Sequence, residues 1–333
     1  MTMQKTSETA TAPVLDFSEL SLDVDDADLK ADSIQDITKQ VMDMLSTTGY
    51  LYLKNTGLKV EEIKEFNKVM RDFFEQPEET KGKVNGEFGW NRKHGWIRQE
   101  IFNDVADWKE AFNVVIGEVI RLGLTWPNEE FRVAMEQMFG RLKVLALRFL
   151  TVLALGFGQK ANFFTDMHKQ LGSIGNSSLV RCVYYPQMRQ SDLYNVKPGQ
   201  LRHGDHCDFG SVTLLVSEDF RGLQLQNHDG NFVDIAKVED PTYVLVIIGT
   251  ILQRWTDDEI IAPRHHVVFN ELTPHRTTEG TEDPIRVAKR QSFGLFVNPD
   301  NGAMVQSFKG KTKYKPIKAL DYLNKECCKI NKP

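Results

Sequence analysis

Two His-x-Asp units stand back to back in this chain, His203-Gly204-Asp205 and His206-Cys207-Asp208, and a histidine pair, His265-His266, follows about sixty residues later. In an extended strand residues i and i+2 point to one side, so either unit can offer an imidazole and a carboxylate to a single metal ion. One distant histidine would complete a two-histidine, one-carboxylate triad, a donor set that suits non-haem Fe(II) and leaves positions open for oxygen chemistry. Neighbours in a strand face opposite sides, so only one of His265 and His266 can join a given centre, and spacing does not choose between them. A third element, Arg290-Gln291-Ser292, again sets two polar groups on one side. A guanidinium there can hold a carboxylate through paired hydrogen bonds, and a hydroxyl can add another. Each element also has an ordinary reading, as a surface pair, a wall histidine or a strand-edge arginine. The combination is far more specific than any one of them.

The elements that must position these residues follow from the surrounding texture. Phe209-Gly210-Ser211-Val212-Thr213-Leu214-Leu215 leads from the second unit into a β-rich run. That order puts His206 and Asp208 at the mouth of a strand, where barrel-like folds keep their sites. His203 and Asp205 flank Gly204 further from that strand and read as a loop-borne pair, solvated or supporting. Short β-branched and aromatic runs at 180–185, 211–216, 223–226, 243–248, 266–270 and 292–297 alternate with Gly, Pro, Asn and Asp clusters. This is the pattern of a sandwich or jelly roll. Earlier in the chain, apolar spacing predicts helices over 34–45, 60–74 and 131–155 and a strand over 49–53. The expected fold is α+β or mainly β: a double-stranded β-helix core with a helical N-terminal support layer. We expect one catalytic unit over 1–333, with 1–12 a mobile lead-in and 13–175 the mainly helical layer. The core carrying the metal site would span 176–300, and 301–333 would form a C-terminal segment.

Composition limits the classes of function. The 333 residues are 41% hydrophobic and 26% charged, ordinary for a globular enzyme, and the net charge of -5 gives no nucleic-acid footprint. The sequence shows no apolar run of membrane length and no secretory leader, which predicts a soluble, cytoplasmic protein. Four cysteines, including the vicinal Cys327-Cys328, fit a reducing compartment better than a disulfide framework. The sequence does not set an oligomeric state, and a monomer is compatible with it.

From roughly residue 13 to 321 the chain resembles the isopenicillin-N-synthase-like Fe(II)/2-oxoglutarate-dependent dioxygenases. The family's His-x-Asp-x-Gly-x-x-Thr-Leu-Leu appears here as the ten residues from His206 to Leu215, its Gly-Leu-Gln as Gly222-Leu223-Gln224, and its Arg-x-Ser as Arg290-Gln291-Ser292. Its distal His-Arg-Val is similar to His265-His266-Val267, with His266 in the usual arginine position. Weaker matches are Gly49-Tyr50-Leu51-Tyr52 with Asn55-Thr56-Gly57, Phe73-Phe74 with Pro77, Asp107-Trp108-Lys109-Glu110-Ala111-Phe112, and Tyr184-Tyr185-Pro186. The resemblance implies Fe(II) on His206, Asp208 and His265. It also implies 2-oxoglutarate held at its far carboxylate by Arg290 and Ser292 with help from Tyr185, and dioxygen as second cosubstrate. The implied reaction releases succinate and carbon dioxide while hydrogen is abstracted from a substrate. Departures are Thr56 where the family often has histidine, Thr250 where it often has aspartate, and Val183 where many members have asparagine. A long loop also separates His265 from Arg290.

Family members use the region around residues 90–100 to contact substrate. Here it reads Trp90-Asn91-Arg92-Lys93-His94-Gly95-Trp96-Ile97-Arg98. Arg92, Lys93, His94, Trp96 and Arg98, joined by Arg202, form the expected substrate cluster, because arginine matches carboxylate geometry. The expected substrate is a small anionic metabolite derived from an amino acid, oxidised at an unactivated C–H bond. The alternative outcome is desaturation or oxidative ring closure, of the kind used in kainoid or β-lactam biosynthesis. From another class, a non-redox metal-binding jelly roll would keep the triad without needing Arg290 and Ser292. A zinc hydrolase is disfavoured, since no spare glutamate base stands at a recognisable spacing.

Overall fold

Strand Val212–Ser217 serves two layers at once. Val212, Leu214 and Val216 enter one core while Leu215 packs against another, the period-2 alternation of a strand covered on both faces. Leu179–Tyr185 repeats it: Val180, Cys182 and Tyr184 join the helices, whereas Val183 and Tyr185 face inward. These strands belong to a nine-stranded sheet ordered Val14–Asp16, Tyr50–Lys54, Val244–Ile248, Val212–Ser217, Arg290–Val297, Leu179–Tyr185, Glu110–Val114, Arg92–Ile97 and Gly86–Phe88. A five-stranded sheet runs Thr9–Ala10, Phe232–Ile235, Leu223–Gln226, His265–Val267 and His203–His206. Tyr50, Tyr52, Leu245 and Ile247 of the larger sheet meet Leu223, Leu225, Ile235 and Val267 of the smaller. That interface is the interior of a double-stranded β-helix. The computed structural model describes residues 9–10, 12–29, 31–84, 86–88, 92–102, 105–235, 238, 240–270, 282–310 and 313–330.

Helices cover the outer face of the larger sheet. In Glu129–Gly156, the Asn128 side chain accepts the Phe131 N–H at 2.8 Å and caps the first turn. Phe131, Met135, Met138, Leu142, Leu145 and Phe149 then recur at helical spacing on the buried side. Ala31–Thr48 and Val60–Phe74 complete the layer, and one apolar core joins residues of 13–175 to residues of 176–300. Gly49 ends the first of these helices with φ +73°, its N–H returning to the Leu45 carbonyl at 2.9 Å. A Cβ there would stand 2.4 Å from the Ile261 oxygen, so glycine is required twice over.

Within residues 13–175, Arg92–Ile97 and Glu110–Val114 extend the main sheet. The structure departs from the sequence expectations in two places. His203 lies in strand His203–His206 rather than in a loop. Thr9–Ala10 pairs in parallel with Phe232–Ile235, against the expected mobile lead-in, of which 1–8 and 11 lie outside the described residues. Residues 271–281, in the loop between His265 and Arg290, also lie outside them. Among the described residues no helix is long and apolar enough to cross a membrane.

Candidate metal centre and cosubstrate pocket

Antiparallel pairing sets His206 opposite His265, with ring centroids 4.3 Å apart. The pairing register shifts between His203 and His206, and the chain then turns Asp208 inward, 4% exposed. Asp208 Oδ1 lies 3.7 Å from Nε2 of His206 and 3.7 Å from Nε2 of His265. Nδ1 of His206 is 2.7 Å from the Gly204 carbonyl, and Nδ1 of His265 is 3.3 Å from the Pro263 carbonyl. A carbonyl only accepts, so each Nδ1 carries the proton and each Nε2 presents its lone pair toward Asp208. Asp208 Oδ2 is buried with no hydrogen-bond partner among the described residues. A buried carboxylate oxygen left so is costly unless a cation completes it, and the N₂O donor set suits Fe(II). Burial, reinforced by His265, pushes the His206 imidazole down to about 3, which keeps it neutral at physiological pH as a ligand must be.

The turn carrying Asp208 is locked from behind. A Cβ on Gly210 would stand 2.4 Å from the Val297 oxygen, and one on Gly249 would stand 2.1 Å from the Gly210 oxygen, so the two backbones touch. That approach lets the Thr250 N–H donate to the Asp208 carbonyl at 2.8 Å and the Ile251 N–H reach Phe209 and Gly210 at 3.1 Å. Thr250, standing where the family often has aspartate, bonds through its hydroxyl to the Phe209 carbonyl at 3.2 Å and accepts the Tyr322 hydroxyl at 2.8 Å. Buried His168 ties the next strand to the helical layer, donating from Nδ1 to the Phe164 carbonyl at 2.6 Å and accepting the Ser211 hydroxyl at Nε2, 2.9 Å.

The first His-x-Asp unit divides. Asp205 turns to the surface and forms a forked pair with Arg264. His203 turns inward, its ring 4.6 Å from that of His206 and its Nδ1 3.3 Å from the Tyr185 hydroxyl. His203, Glu100 and Asp107 come close enough to suggest a second metal site. The cations there are already the protein's own: Lys109 Nζ bonds Asp107 and lies 2.8 Å from Glu100, and Arg181 reaches Glu100 at 2.6 Å. Asp107 also accepts the Gly204 N–H at 3.0 Å, so this network pins the strand that carries His206. His266 faces away from Asp208, bonding Gln224 at 2.8 Å and stacking 4.1 Å from Phe232.

Arg290 opens its strand opposite Tyr185, its guanidinium 5.0 Å from the tyrosine ring. Its Nε donates to the Asp219 carbonyl at 2.6 Å, and its Nη1 is buried without a partner among the described residues. Ser292, two residues on, shares its face. Sequence reasoning missed Tyr52, whose hydroxyl is buried and unpartnered among the described residues. Burial raises its phenol well above the usual range against the opposing pull of Arg290, so it remains a protonated donor. Its inward phase, two residues from inward-facing Tyr50, was readable from strand alternation.

Of the expected basic substrate cluster, the described side chains His94, Trp96, Arg98 and Arg202 lie in different surroundings. Arg92–Ile97 is a strand, and its alternation sends Trp96 into the core beneath the helices, where Nε1 donates to Glu110 at 2.5 Å. His94 is buried beside Phe112 and Trp126, with Nε2 3.0 Å from the Thr125 carbonyl. Arg98 is exposed and pairs with Glu78 at 2.8 Å. Arg202 sits elsewhere, its guanidinium 5.0 Å from the Tyr185 ring. The side chains of Arg92 and Lys93, with Trp90 and Asn91, lie outside the described residues.

Comparison with known proteins agrees with this geometry. Residues 12–128 match the family described as non-haem dioxygenase in morphine synthesis N-terminal, and residues 176–299 match the 2OG-Fe(II) oxygenase superfamily. The 2-oxoglutarate-Fe(II) type oxidoreductase ppzD of Metarhizium majus (strain ARSEF 297) is 28% identical over 321 residues, covering 85% of this chain and 86% of its own. Proline hydroxylase buaE of Petromyces alliaceus is 29% identical over 277 residues, covering 79% and 81%. The crystal structure of a full-length Neurospora crassa protein in complex with alpha-KG matches with a TM-score of 0.76 at 25% identity, covering 95% of this chain and 96% of that one. The chain belongs to the Fe(II)/2-oxoglutarate-dependent dioxygenase family. It is an oxidoreductase with a jelly-roll core that uses Fe(II) and 2-oxoglutarate.

Proposed function

We propose that this dioxygenase oxidises an unactivated C–H bond of a small, carboxylate-bearing metabolite derived from an amino acid, acting in the cytoplasm as one catalytic unit. The observation that carries the site assignment is a pair of charges unsatisfied among the described residues: Asp208 Oδ2 beside two imidazoles, and Arg290 Nη1 beside Tyr185. His206, Asp208 and His265 would hold Fe(II), and Arg290, Ser292, Tyr185 and Tyr52 would receive the far carboxylate of 2-oxoglutarate. When bound, the metal with 2-oxoglutarate and dioxygen supplies the oxidising power, 2-oxoglutarate leaving as succinate and carbon dioxide. Residues of the chain position and shield. The Nδ1 hydrogen bonds fix both imidazoles, and Leu223, Leu225, Ile247 and Val267 line the interior with apolar surface that excludes water.

One similar protein, named a proline hydroxylase, supports the substrate class. The cytoplasmic setting is supported by four free cysteines. The test is mass spectrometry of proline and carboxylated amino-acid derivatives incubated with the Fe(II) protein, 2-oxoglutarate and oxygen. We expect substrate-dependent succinate release with gain of one oxygen atom in the product. Loss of two hydrogens would indicate desaturation or ring closure instead, and succinate release stimulated only by uncharged substrates would reject the class.

A further inference from the structure

We infer that Arg202 is a second guanidinium of the cosubstrate pocket, acting with Arg290 on the far carboxylate of 2-oxoglutarate and selecting for 2-oxo acids that carry one. The inference rests on the reading that Arg290 receives that carboxylate. The two arginines come from facing sheets. Arg290 begins a strand of the larger sheet, and Arg202 precedes strand His203–His206 of the smaller, its N–H held by the Val267 carbonyl at 2.8 Å. Both guanidinium groups lie 5.0 Å from the ring of Tyr185, so one aromatic side chain organises two cations.

Neither cation is hydrogen-bonded to an acid among the described residues. Arg202 is 3% exposed, and its donors reach only neutral carbonyls, Pro186 at 2.7 Å and Ala288 at 3.3 Å, while Nε is buried with no partner. Arg290 likewise spends Nε on a carbonyl and leaves Nη1 unpartnered. The nearby carboxylate, Asp219, is forked onto Arg221 through contacts of 2.5 to 2.9 Å. Burial, and then the charge of Arg290, pull the Arg202 guanidinium down to about 10, still charged at neutral pH. A side chain needed only to bridge two carbonyls could be a neutral amide. Two guanidinium groups gathered on one aromatic ring, neither paired with an acid among the described residues, are instead relieved by an anion shared between them. A 2-oxo acid lacking the far carboxylate leaves both charges uncompensated, which converts the pair into a selectivity device.

Calorimetric titration of the Mn(II)-loaded full chain with 2-oxoglutarate and with 2-oxobutyrate, which shares the keto-acid end alone, tests this. Wild type should prefer 2-oxoglutarate. Arg202→Gln should lose roughly 10-fold or more in 2-oxoglutarate affinity, the scale of one charged hydrogen bond, and leave 2-oxobutyrate within about 2-fold. Arg202→Lys, which keeps the charge and loses the fork, should recover part of the loss. If Arg202→Gln does not fold, Arg202→Lys is read alone, and a selective loss for 2-oxoglutarate supports the assignment. Wild-type affinity in the variants, or equal losses for both acids, overturns it and leaves Arg202 a structural prop. Failure of the underlying reading looks different: Arg290→Gln would then leave 2-oxoglutarate affinity unchanged.

Discussion

His203 and His206 lie three residues apart on one strand with their rings 4.6 Å from each other, yet the aspartates two residues after them share nothing. Asp205 is half-buried in a fork with Arg264, while Asp208 is buried beside two imidazoles with one oxygen unsatisfied among the described residues. Local sequence does not make this difference. The turn at Gly210 and Gly249, where two backbones touch, pulls Asp208 inward, and the helix beginning at Thr250 holds its carbonyl. The first unit lacks that clamp, and its histidine is absorbed into the Glu100, Asp107, Lys109 and Arg181 network instead. Identical residue types became a metal-binding candidate in one case and a surface pair with a supporting histidine in the other.

The contrast can be broken most directly at the carboxylates. Asp208→Ala should reduce Fe(II)-dependent succinate release by about 10³-fold or more, since it removes a charged ligand. Asp205→Ala should stay within about 3-fold, because exposed ion pairs contribute little; the reverse ranking would assign the centre to the wrong unit. Next, Lys109→Met should cost about 3–5 kcal/mol in denaturant unfolding by stranding buried Asp107, Glu100 keeping Arg181, whereas Arg264→Met should cost under ~1 kcal/mol. Similar costs for the two would mean that the inner network is no more buried in effect than the surface pair. The histidine pair should split in the same direction. His265→Ala is expected to weaken Mn(II) or Fe(II) binding by about 100-fold, and His266→Ala by less than about 10-fold, as its hydrogen bond to Gln224 lies outside the centre.

The smallest effect concerns what the two units share, a buried neutral imidazole. Burial lowers His203, takes His206 to about 3 and His168 to about 4, so the unfolded chain, titrating near the ordinary histidine value, binds protons more readily. Stability is therefore full above about pH 6.5 and declines as the pH falls toward those folded values. For metal-free protein the expected loss between pH 7.5 and 6 is on the order of 1 kcal/mol per such histidine, read from melting temperatures. His168→Gln should flatten the dependence, and an unchanged slope would mean that His168 contributes none of it.

Legibility in the sequence followed the range of the interactions involved. The helix over 60–74 and the strand over 223–226 were read with the bounds later observed, because apolar periodicity is a local record of which face is buried. The second His-x-Asp and the Arg-x-Ser element were legible because each is a short run of neighbouring residues. In the segment from Arg92 the charge was visible in the sequence and the sheet partners were not. Pairing Trp96 with Phe112 across the sheet buries that ring. Arg202 was grouped with that segment by charge, and only the approach of two sheets placed it on the Tyr185 ring, as Arg290 is.

Sequence alone determined the class of chemistry, through residue types whose donors suit Fe(II) and a carboxylate, and the layered fold, through strand and helix periodicity. Tertiary structure set which of His265 and His266, and which of Asp205 and Asp208, lies grouped with His206, and whether each described cation meets solvent, a carboxylate or a carbonyl. The physical reason is that donor type belongs to a residue, whereas direction, burial and the partner that satisfies a charge belong to contacts between strands far apart in the chain.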